Sequence, residues 1–463
     1  MADRTARRTE GPIEEGTIPL MPSAQQQAAP TADPYLPDHG DPSYGVDHYD
    51  LALTYKPASN HLSGRARITL RPLTEIRQLT LDLHALKVTK LALRGARVER
   101  WRQSASRLVV RLGAPVAAGT VLELDVQYRG EPRTMPGPDG RAGWEELADG
   151  VIVASQPHGS PTWFPCNDRA DDKARYDIAI SAPTDYHVLA NGTLVGTRRG
   201  AGLVSWHYRM SEPMAPYLAT VAIGRYAAYP LPTAPGASVP ATLVCPPLLR
   251  PQAAEAFADQ SAMIAFFERL FGPYPFTADY AVVVTPDALE IPLESQGLST
   301  FGSNLATRDW QSQRLIAHEL SHQWFGNAVT ARSLAEIWLH EGFACYSEWL
   351  WSQESGGPSA DEWARRYRRS LARQPQDLLL GAPGADRMFD DRVYKRGALT
   401  LHALRRLIGD GAFFTLLRDW LQRYRYGVAG TAEFIALAEQ VSGRSLAGFF
   451  HAWLDSAPLP ALD

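Results

Sequence analysis

The sequence has few cysteines, no long apolar run and no large excess of charge of one sign. Its 463 residues include three cysteines, Cys166, Cys245 and Cys345, which lie too far apart for a Cys-x-x-Cys metal pair or a disulfide framework. No run of about 18 apolar residues is present, so no membrane-spanning helix is predicted. With 46 Lys and Arg against 50 Asp and Glu, the net charge of −4 offers no broad positive field for nucleic acid or an anionic membrane.

The composition is that of a globular protein, because 45% of the residues are hydrophobic and can bury a large core. The isolated cysteines and the polar N-terminus, which lacks the apolar stretch of a secretory signal, predict a cytoplasmic protein. Residues 1–40 contain a Gln-Gln-Gln run and scattered proline, and we expect a disordered leader there.

Two patterns of hydrophobic spacing divide the rest of the chain. Residues 41–229 contain runs that alternate polar and apolar residues between turn residues, which predicts an all-β domain. In residues 230–463 the spacing becomes helical. The helices predicted around the candidate site span residues 313–325, 333–351 and 398–407. The predicted fold class is therefore α+β, with an N-terminal all-β domain before a mainly helical domain.

A His-Glu-x-x-His motif, His318 to His322, lies on one of the predicted helices. Residues four apart share a helix face, so both imidazoles can reach one zinc ion. Glu341 follows His322 after eighteen intervening residues, on the next predicted helix, an offset that suits a third ligand. Two histidines and one glutamate leave a fourth coordination position open, which is typical of a catalytic zinc site.

The chain resembles the zinc aminopeptidases related to aminopeptidase N and leukotriene hydrolase, which are gluzincin metallopeptidases. The segments that carry the resemblance occur in family order and span residues 163–168, 271–276, 296–301, 318–327, 338–344 and 393–398. The resemblance implies a saddle-shaped N-terminal β domain, a thermolysin-like catalytic domain with one Zn²⁺, and removal of N-terminal residues from peptides. Many relatives continue into a large helical domain, so we expect a more open cleft here, or one covered by another subunit.

The resemblance also implies roles in the reaction for single residues. It gives His318, His322 and Glu341 as the zinc ligands and Glu319 as the general base. It gives Tyr394 as the hydroxyl donor to the oxyanion, a position from which loss of the donor typically costs ~10²–10³ in rate.

At the substrate end, the family pattern Gly-x-Met-Glu-Asn corresponds to Ile291-Pro-Leu-Glu-Ser295 in this chain. The resemblance implies that Glu294 grips the substrate α-ammonium, with Gln156 as a second contact. Ile291 in place of glycine is expected to reshape or narrow the cleft, which affects substrate preference more than the reaction.

Four further residues near these motifs carry weaker expectations. Glu348 lies seven residues beyond Glu341 on the same helical face, where it either orients a ligand histidine or is an exposed glutamate. Lys395 and Arg396 are expected to be solvated, although either could meet a substrate carboxylate. His158 is expected to be structural, because the metal already has three ligands.

Two alternatives to the aminopeptidase remain open. The altered Ile291–Ser295 stretch allows a zinc hydrolase of the same fold with another substrate, such as an endopeptidase or an epoxide hydrolase. A non-catalytic peptide-binding protein is the other alternative, and Glu319 together with Tyr394 argues against it.

Overall fold

The computed structural model describes residues 31–138 and 140–462, and residues 32–463 form one compact unit. Most of the predicted leader, residues 1–30, lies outside the described residues. The last residues of the predicted leader, before residue 41, pack against the rest of the chain. Leu36 is buried, and the Asp33 carboxylate accepts a hydrogen bond from the backbone N–H of Leu334 at 2.8 Å. The packed chain therefore begins before residue 41.

The first half of the unit consists of strands with alternating burial, as the period-two pattern predicts. The strands are β1 (Tyr44–Lys56), β2 (His61–Pro72), β3 (Ile76–Asp82), β4 (Lys87–Arg94), β5 (Val98–Gln103), β6 (Arg107–Val116), β7 (Leu122–Gly130), β8 (Met135–Gly137), β9 (Gly140–Leu147), β10 (Gly150–Ala154), β11 (Ala174–Pro183), β12 (His187–Ala190), β13 (Thr193–Gly200), β14 (Leu203–Met214), β15 (Val221–Gly224) and β16 (Ala227–Pro230).

Strands β1 to β15 form three sheets, and β16 belongs to a fourth sheet with strands of the second half. A seven-stranded sheet runs in the order β13-β14-β11-β1-β2-β7-β4, in which β1 and β11 are parallel. A three-stranded sheet, β3-β6-β5, and a five-stranded sheet, β12-β15-β10-β9-β8, complete this half. The predicted all-β character of this half is confirmed, while the domain boundary near residue 230 stays a prediction.

The second half is mainly helical and is threaded by a few strands. Its strands are β17 (Ala241–Cys245), β18 (Tyr280–Thr285), β19 (Leu298–Gly302), β20 (Thr330–Ala331) and β21 (Val428–Ala429). Its helices are α1 (Arg250–Ala256), α2 (Gln260–Phe271), α3 (Trp310–Ser321), α4 (Trp338–Glu354), α5 (Ala360–Leu371), α6 (Asp391–Ile408), α7 (Asp410–Tyr424), α8 (Thr431–Ser442) and α9 (Ala447–Phe450). None of the helices in the described part of the chain combines the length and apolar composition that crossing a bilayer requires.

Two contacts position the site within this half. The sheet β16-β17-β18-β19 lies beside the helices, and a small apolar cluster that includes Ile152 and Val283 joins it to the first half. Helices α4 and α6 meet at a pair of glycines, where a Cβ added to Gly342 would lie 2.8 Å from the Cα of Gly397. Only glycine permits so close an approach of two helices. The close approach brings nearby residues of the two helices together, and Glu341 on α4 and Tyr394 on α6 line a common cleft.

Candidate metal centre and substrate cleft

Helix α3 brings the two histidines of the motif onto one face. The helix begins behind Asp309, whose carboxylate accepts a hydrogen bond from the backbone N–H of Ser312 at 3.1 Å, a standard N-terminal cap. His318 lies in the last turn and His322 directly follows the helix, and both side chains are buried. The centroids of their rings lie 4.8 Å apart, so the Nε2 atoms of both rings can reach one metal ion.

Glu341, in the first turn of α4, completes the cluster. Its Oε2 lies 3.2 Å from Nε2 of His318 and 3.5 Å from Nε2 of His322. Tetrahedral zinc with bonds of about 2.1 Å would hold its ligand atoms about 3.4 Å apart. Although burial disfavours the charge of Glu341, the two histidines hold its pKa well below the usual range, so the carboxylate is ionised.

The protonation of the rings tests whether a cation fits. Nδ1 of His318 lies 2.8 Å from the Glu348 carboxylate, and Nδ1 of His322 lies 3.0 Å from the carbonyl of Phe325. Both partners accept hydrogen bonds, so in a neutral ring Nδ1 carries the proton and Nε2 keeps its lone pair. Burial lowers the pKa of His318, but the hydrogen bonds to the Glu341 and Glu348 carboxylates raise it to about 10, because both carboxylates favour positive charge on the ring. The donor set therefore fits a divalent cation.

Of the two alternatives predicted for Glu348, the structure shows the first: its side chain contacts the candidate ligand His318. It is 1% exposed, and burial alone would raise its pKa. The nearby charges of Lys395, His318 and Arg314 instead hold the pKa at about 2, with Arg314 Nη1 at 3.4 Å from the carboxylate. The ionised Glu348 therefore fixes the ring orientation of His318 from behind.

Lys395 and Arg396 were expected to be solvated, and that prediction is wrong. Lys395 is 5% exposed, and its ammonium lies 3.5 Å from the sulfur of Cys345. The Arg396 guanidinium donates to backbone carbonyls near the end of the described chain, among them those of Trp453 at 2.9 Å and Ala457 at 2.8 Å. Both cations face inward because α6 is covered by other elements, so neither is free to meet a substrate.

The candidate base and oxyanion donor line the same cleft, which has a volume of about 230 Å³. Burial raises the pKa of Glu319 to about 8 against the opposing charges of the two histidines, and a divalent cation beside it would lower the pKa again. The Tyr394 ring lies roughly parallel to that of His318, with centroids 5.9 Å apart.

The substrate end of the cleft holds Glu294 and Gln156. The bridge between Leu293 and Thr300 aligns the Glu294 segment with β19. The side-chain amide of Gln156 donates to the Glu294 carboxylate at 2.6 Å and lies 3.5 Å from that of Glu341. Burial raises the pKa of Glu294, which is 5% exposed. A positive charge bound between these groups would lie next to the candidate metal.

Sequence reasoning missed several residues of the cleft wall. They are Arg314, about one helical turn before His318, together with Phe389 and Asp391 before Tyr394. Helical spacing from the candidate residues His318 and Tyr394 could have identified Arg314 and Asp391, whereas Phe389 precedes helix α6. Ile291 also lines the cleft and is 55% exposed, so it contributes an apolar wall that faces solvent.

Models of known protein families match most of the chain. Residues 46–218 match the peptidase M1 N-terminal domain, and residues 255–453 match the peptidase family M1 domain. The chain belongs to peptidase family M1. The predicted family and fold class are thereby confirmed, and the family accounts for a zinc site in the cleft.

Solved structures of this family cover nearly the whole chain. An M1 zinc metallopeptidase from Deinococcus radiodurans is 29% identical, with a TM-score of 0.86 over 94% of this chain and 99% of that one. A mutant of the Deinococcus protein was solved bound to a Tyr-Ser-Ala substrate. Curated relatives include aminopeptidase M1-A of Oryza sativa, 24% identical over 68% of this chain, and leucyl aminopeptidase of Saccharolobus solfataricus, 23% identical over 90%. The chain spans 38% and 54% of the lengths of these two relatives.

Proposed function

We propose that this M1 family member is a zinc-dependent aminopeptidase that removes N-terminal residues from peptides. The carrying observation is the contact between Gln156 and Glu294, 2.6 Å long, beside the candidate ligand Glu341. A substrate α-ammonium held by the Glu294 carboxylate would place the first peptide bond at the metal. The distance from amine to metal thereby selects the N-terminal bond.

In this proposal His318, His322 and Glu341 hold the zinc ion. When bound, zinc would polarise the scissile carbonyl and make water nucleophilic near neutral pH. Glu319 takes the proton of the attacking water and delivers it to the leaving amine. Tyr394 donates its hydroxyl to the oxygen on which negative charge develops.

The test compares one mixed-sequence peptide with its N-acetylated twin, with and without chelator, by mass spectrometry. We expect stepwise loss of single residues from the free peptide only, abolished by chelator. Glu294→Gln should lower kcat/KM by roughly 30-fold or more, since losing one partner of a buried charge contact costs about 2 kcal/mol or more. Glu290→Gln is the matched control, because Glu290 is an exposed carboxylate in the same loop.

Two outcomes would contradict the proposal. Cleavage of both peptides would indicate an endopeptidase, so that Glu294 does not select the amine. No cleavage of either peptide by the zinc-loaded protein would favour a peptide-binding protein.

We also propose a cytoplasmic location. All three cysteines are free and buried, as expected in a reducing compartment. Fractionation of the source cells with an antibody to the protein tests this, and recovery outside the cytoplasmic fraction would contradict it.

A further inference from the structure

A second cluster of histidine and carboxylate lies outside the cleft, in the β-rich half. Its members are His39, His158 and Asp168, whose potential ligand atoms lie within 4.8 Å of one another. His39 Nδ1 is 2.8 Å from Asp168 Oδ2, and the two histidine rings lie 5.0 Å apart between centroids. The residues come from two stretches: His39 lies in the segment before β1, and His158 and Asp168 lie in the connection between β10 and β11.

His158 supplies the observation that points to a ligand. The residue is 2% exposed, and its Nδ1 is buried without a hydrogen-bond partner among the described residues. The ring is closely fitted, because a Cβ added to Gly137 would lie 1.7 Å from His158 Nε2. Burial lowers the pKa of this histidine, so the ring is neutral and offers a lone pair. An unpaired buried polar atom destabilises the folded state, and a bound ligand would offset that cost.

Hydrogen bonds to Asp82 hold the chain around Asp168 in place, as is common for the ligands of a metal ion. Asp82 and Cys166 exchange backbone hydrogen bonds of 2.8 and 3.0 Å, which fix the chain two residues before Asp168. The Asp82 carboxylate accepts hydrogen bonds from the backbone N–H groups of Gly40 at 2.8 Å and Asp168 at 3.1 Å. The Asp82 carboxylate therefore holds the backbone next to His39 and the backbone of Asp168 itself.

The charge of the cluster also favours a cation. Burial lowers the pKa of His39, but its bond to Asp168 raises it above the usual value, because the carboxylate favours a shared proton in their contact. Arg107 faces Asp82 at 3.0 Å and is already paired there. A divalent ion would replace the shared proton once the 2.8 Å contact between His39 and Asp168 opened by about 0.6 Å towards zinc-ligand spacing.

We propose that His39, His158 and Asp168 form a second metal site that binds zinc or a similar divalent ion. Two imidazoles and one carboxylate are a donor set that zinc accepts readily. An ion at this site would tie the segment before β1 to the loop that carries Gln156, two residues before His158. The site would therefore stabilise the loop that reaches the substrate end of the cleft.

The experiment counts ions on the full chain after chelator treatment, zinc reloading and desalting, by elemental mass spectrometry. We expect two zinc ions per unchanged chain. His158→Gln and His39→Gln should each retain one ion, and Glu341→Ala, which lacks a cleft ligand, should also retain one. The double variant Glu341→Ala with His158→Gln should retain none. His187→Gln is the matched control from the same half and should retain two.

A second measurement covers the case in which His158→Gln does not fold. In the Glu341→Ala background, added zinc should raise Tm, and adding His39→Gln, whose side chain is 15% exposed, should abolish the rise. One ion on the unchanged chain and none on Glu341→Ala would overturn the proposal. Two ions that persist in both histidine variants would overturn it as well. Because neither readout uses a peptide, failure here is distinguishable from failure of the proposed peptidase activity.

Discussion

Replacing Glu348 by glutamine should weaken zinc binding although Glu348 is not itself a proposed ligand. Its carboxylate lies 2.8 Å from Nδ1 of His318 and is ionised, with a pKa held at about 2. Loss of such an outer partner typically lowers metal affinity by about 10–100-fold. A charge-assisted hydrogen bond of about 1.5–3 kcal/mol gives the same range, since about 1.4 kcal/mol is tenfold. Glutamine keeps an acceptor oxygen, so we expect about 10-fold for Glu348→Gln and about 100-fold for Glu348→Ala.

The assay is competition for zinc with a chromophoric chelator at pH 7.5. Glu354→Gln is the matched control, because Glu354 lies on the same helix but pairs with Arg269 at the surface. Removing Glu348 also takes away one of two carboxylates near Lys395, whose ammonium lies 3.6 Å from Asp391, so circular dichroism must first establish that each variant is folded. Activity of Glu348→Gln should recover at saturating zinc. Equal zinc affinity for Glu348→Gln and Glu354→Gln would refute the argument that Glu348 orients His318.

Three further perturbations test other parts of the structure. Tyr394→Phe should lower kcat by ~10²–10³ with little change in KM, measured with a chromogenic amino-acid amide; an unchanged kcat would exclude the oxyanion role. His340 is buried and its Nε2 accepts a hydrogen bond from a backbone N–H at 2.7 Å, and burial lowers its pKa to about 3. In the unfolded chain the ring titrates near 6.5, so between pH 6.5 and 3 only the unfolded state binds the extra proton. The free energy of unfolding therefore falls as the pH falls, by about 2 kcal/mol from pH 7.5 to 5. Urea unfolding of the zinc-free protein should show that His340→Gln removes this loss, and an unchanged pH dependence would contradict the assignment. Gly342→Ala should cost about 1–3 kcal/mol because its Cβ would meet Gly397, whereas Gly411→Ala, with nothing within 4 Å, should be neutral or stabilising by up to about 1 kcal/mol. Equal effects of the two alanines would show that the close contact between α4 and α6 is not required.

The elements around the site could be predicted because their hydrophobic spacing is local. The helix predicted over residues 313–325 lies at Trp310–Ser321, close to the pattern. The helix predicted over 398–407 is longer, Asp391–Ile408, because its first turns carry polar residues that hide the apolar period. Asp390 caps the start of this helix, where its carboxylate accepts a hydrogen bond from the backbone N–H of Arg392 at 2.9 Å. Tyr394 therefore lies on the helix and not in the loop before it.

The burial of charged side chains could not be predicted in the same way. The pair Lys395-Arg396 looks like a solvated surface when only its neighbours in sequence are considered. Arg396 is buried because its partners are carbonyls about sixty residues later in the chain, at Trp453 and Ala457. A charge can be buried when distant backbone groups satisfy it, and no local pattern reports such partners.

The same distinction separates the two histidine clusters. In the cleft, His318 and His322 belong to one helical motif, so their common target is visible from spacing alone. His39, His158 and Asp168 are spread over 130 residues of a β-rich half and share no motif. The bridge between Asp82 and Cys166, with the hydrogen bond from the Gly40 N–H to the Asp82 carboxylate, brings the segment that carries His39 to the loop that carries Asp168. Sequence spacing predicts metal ligands when one element carries most of them. Where connections from distant parts of the chain bring the ligands together, a structural feature such as the unpaired buried nitrogen of His158 is needed to point to the site.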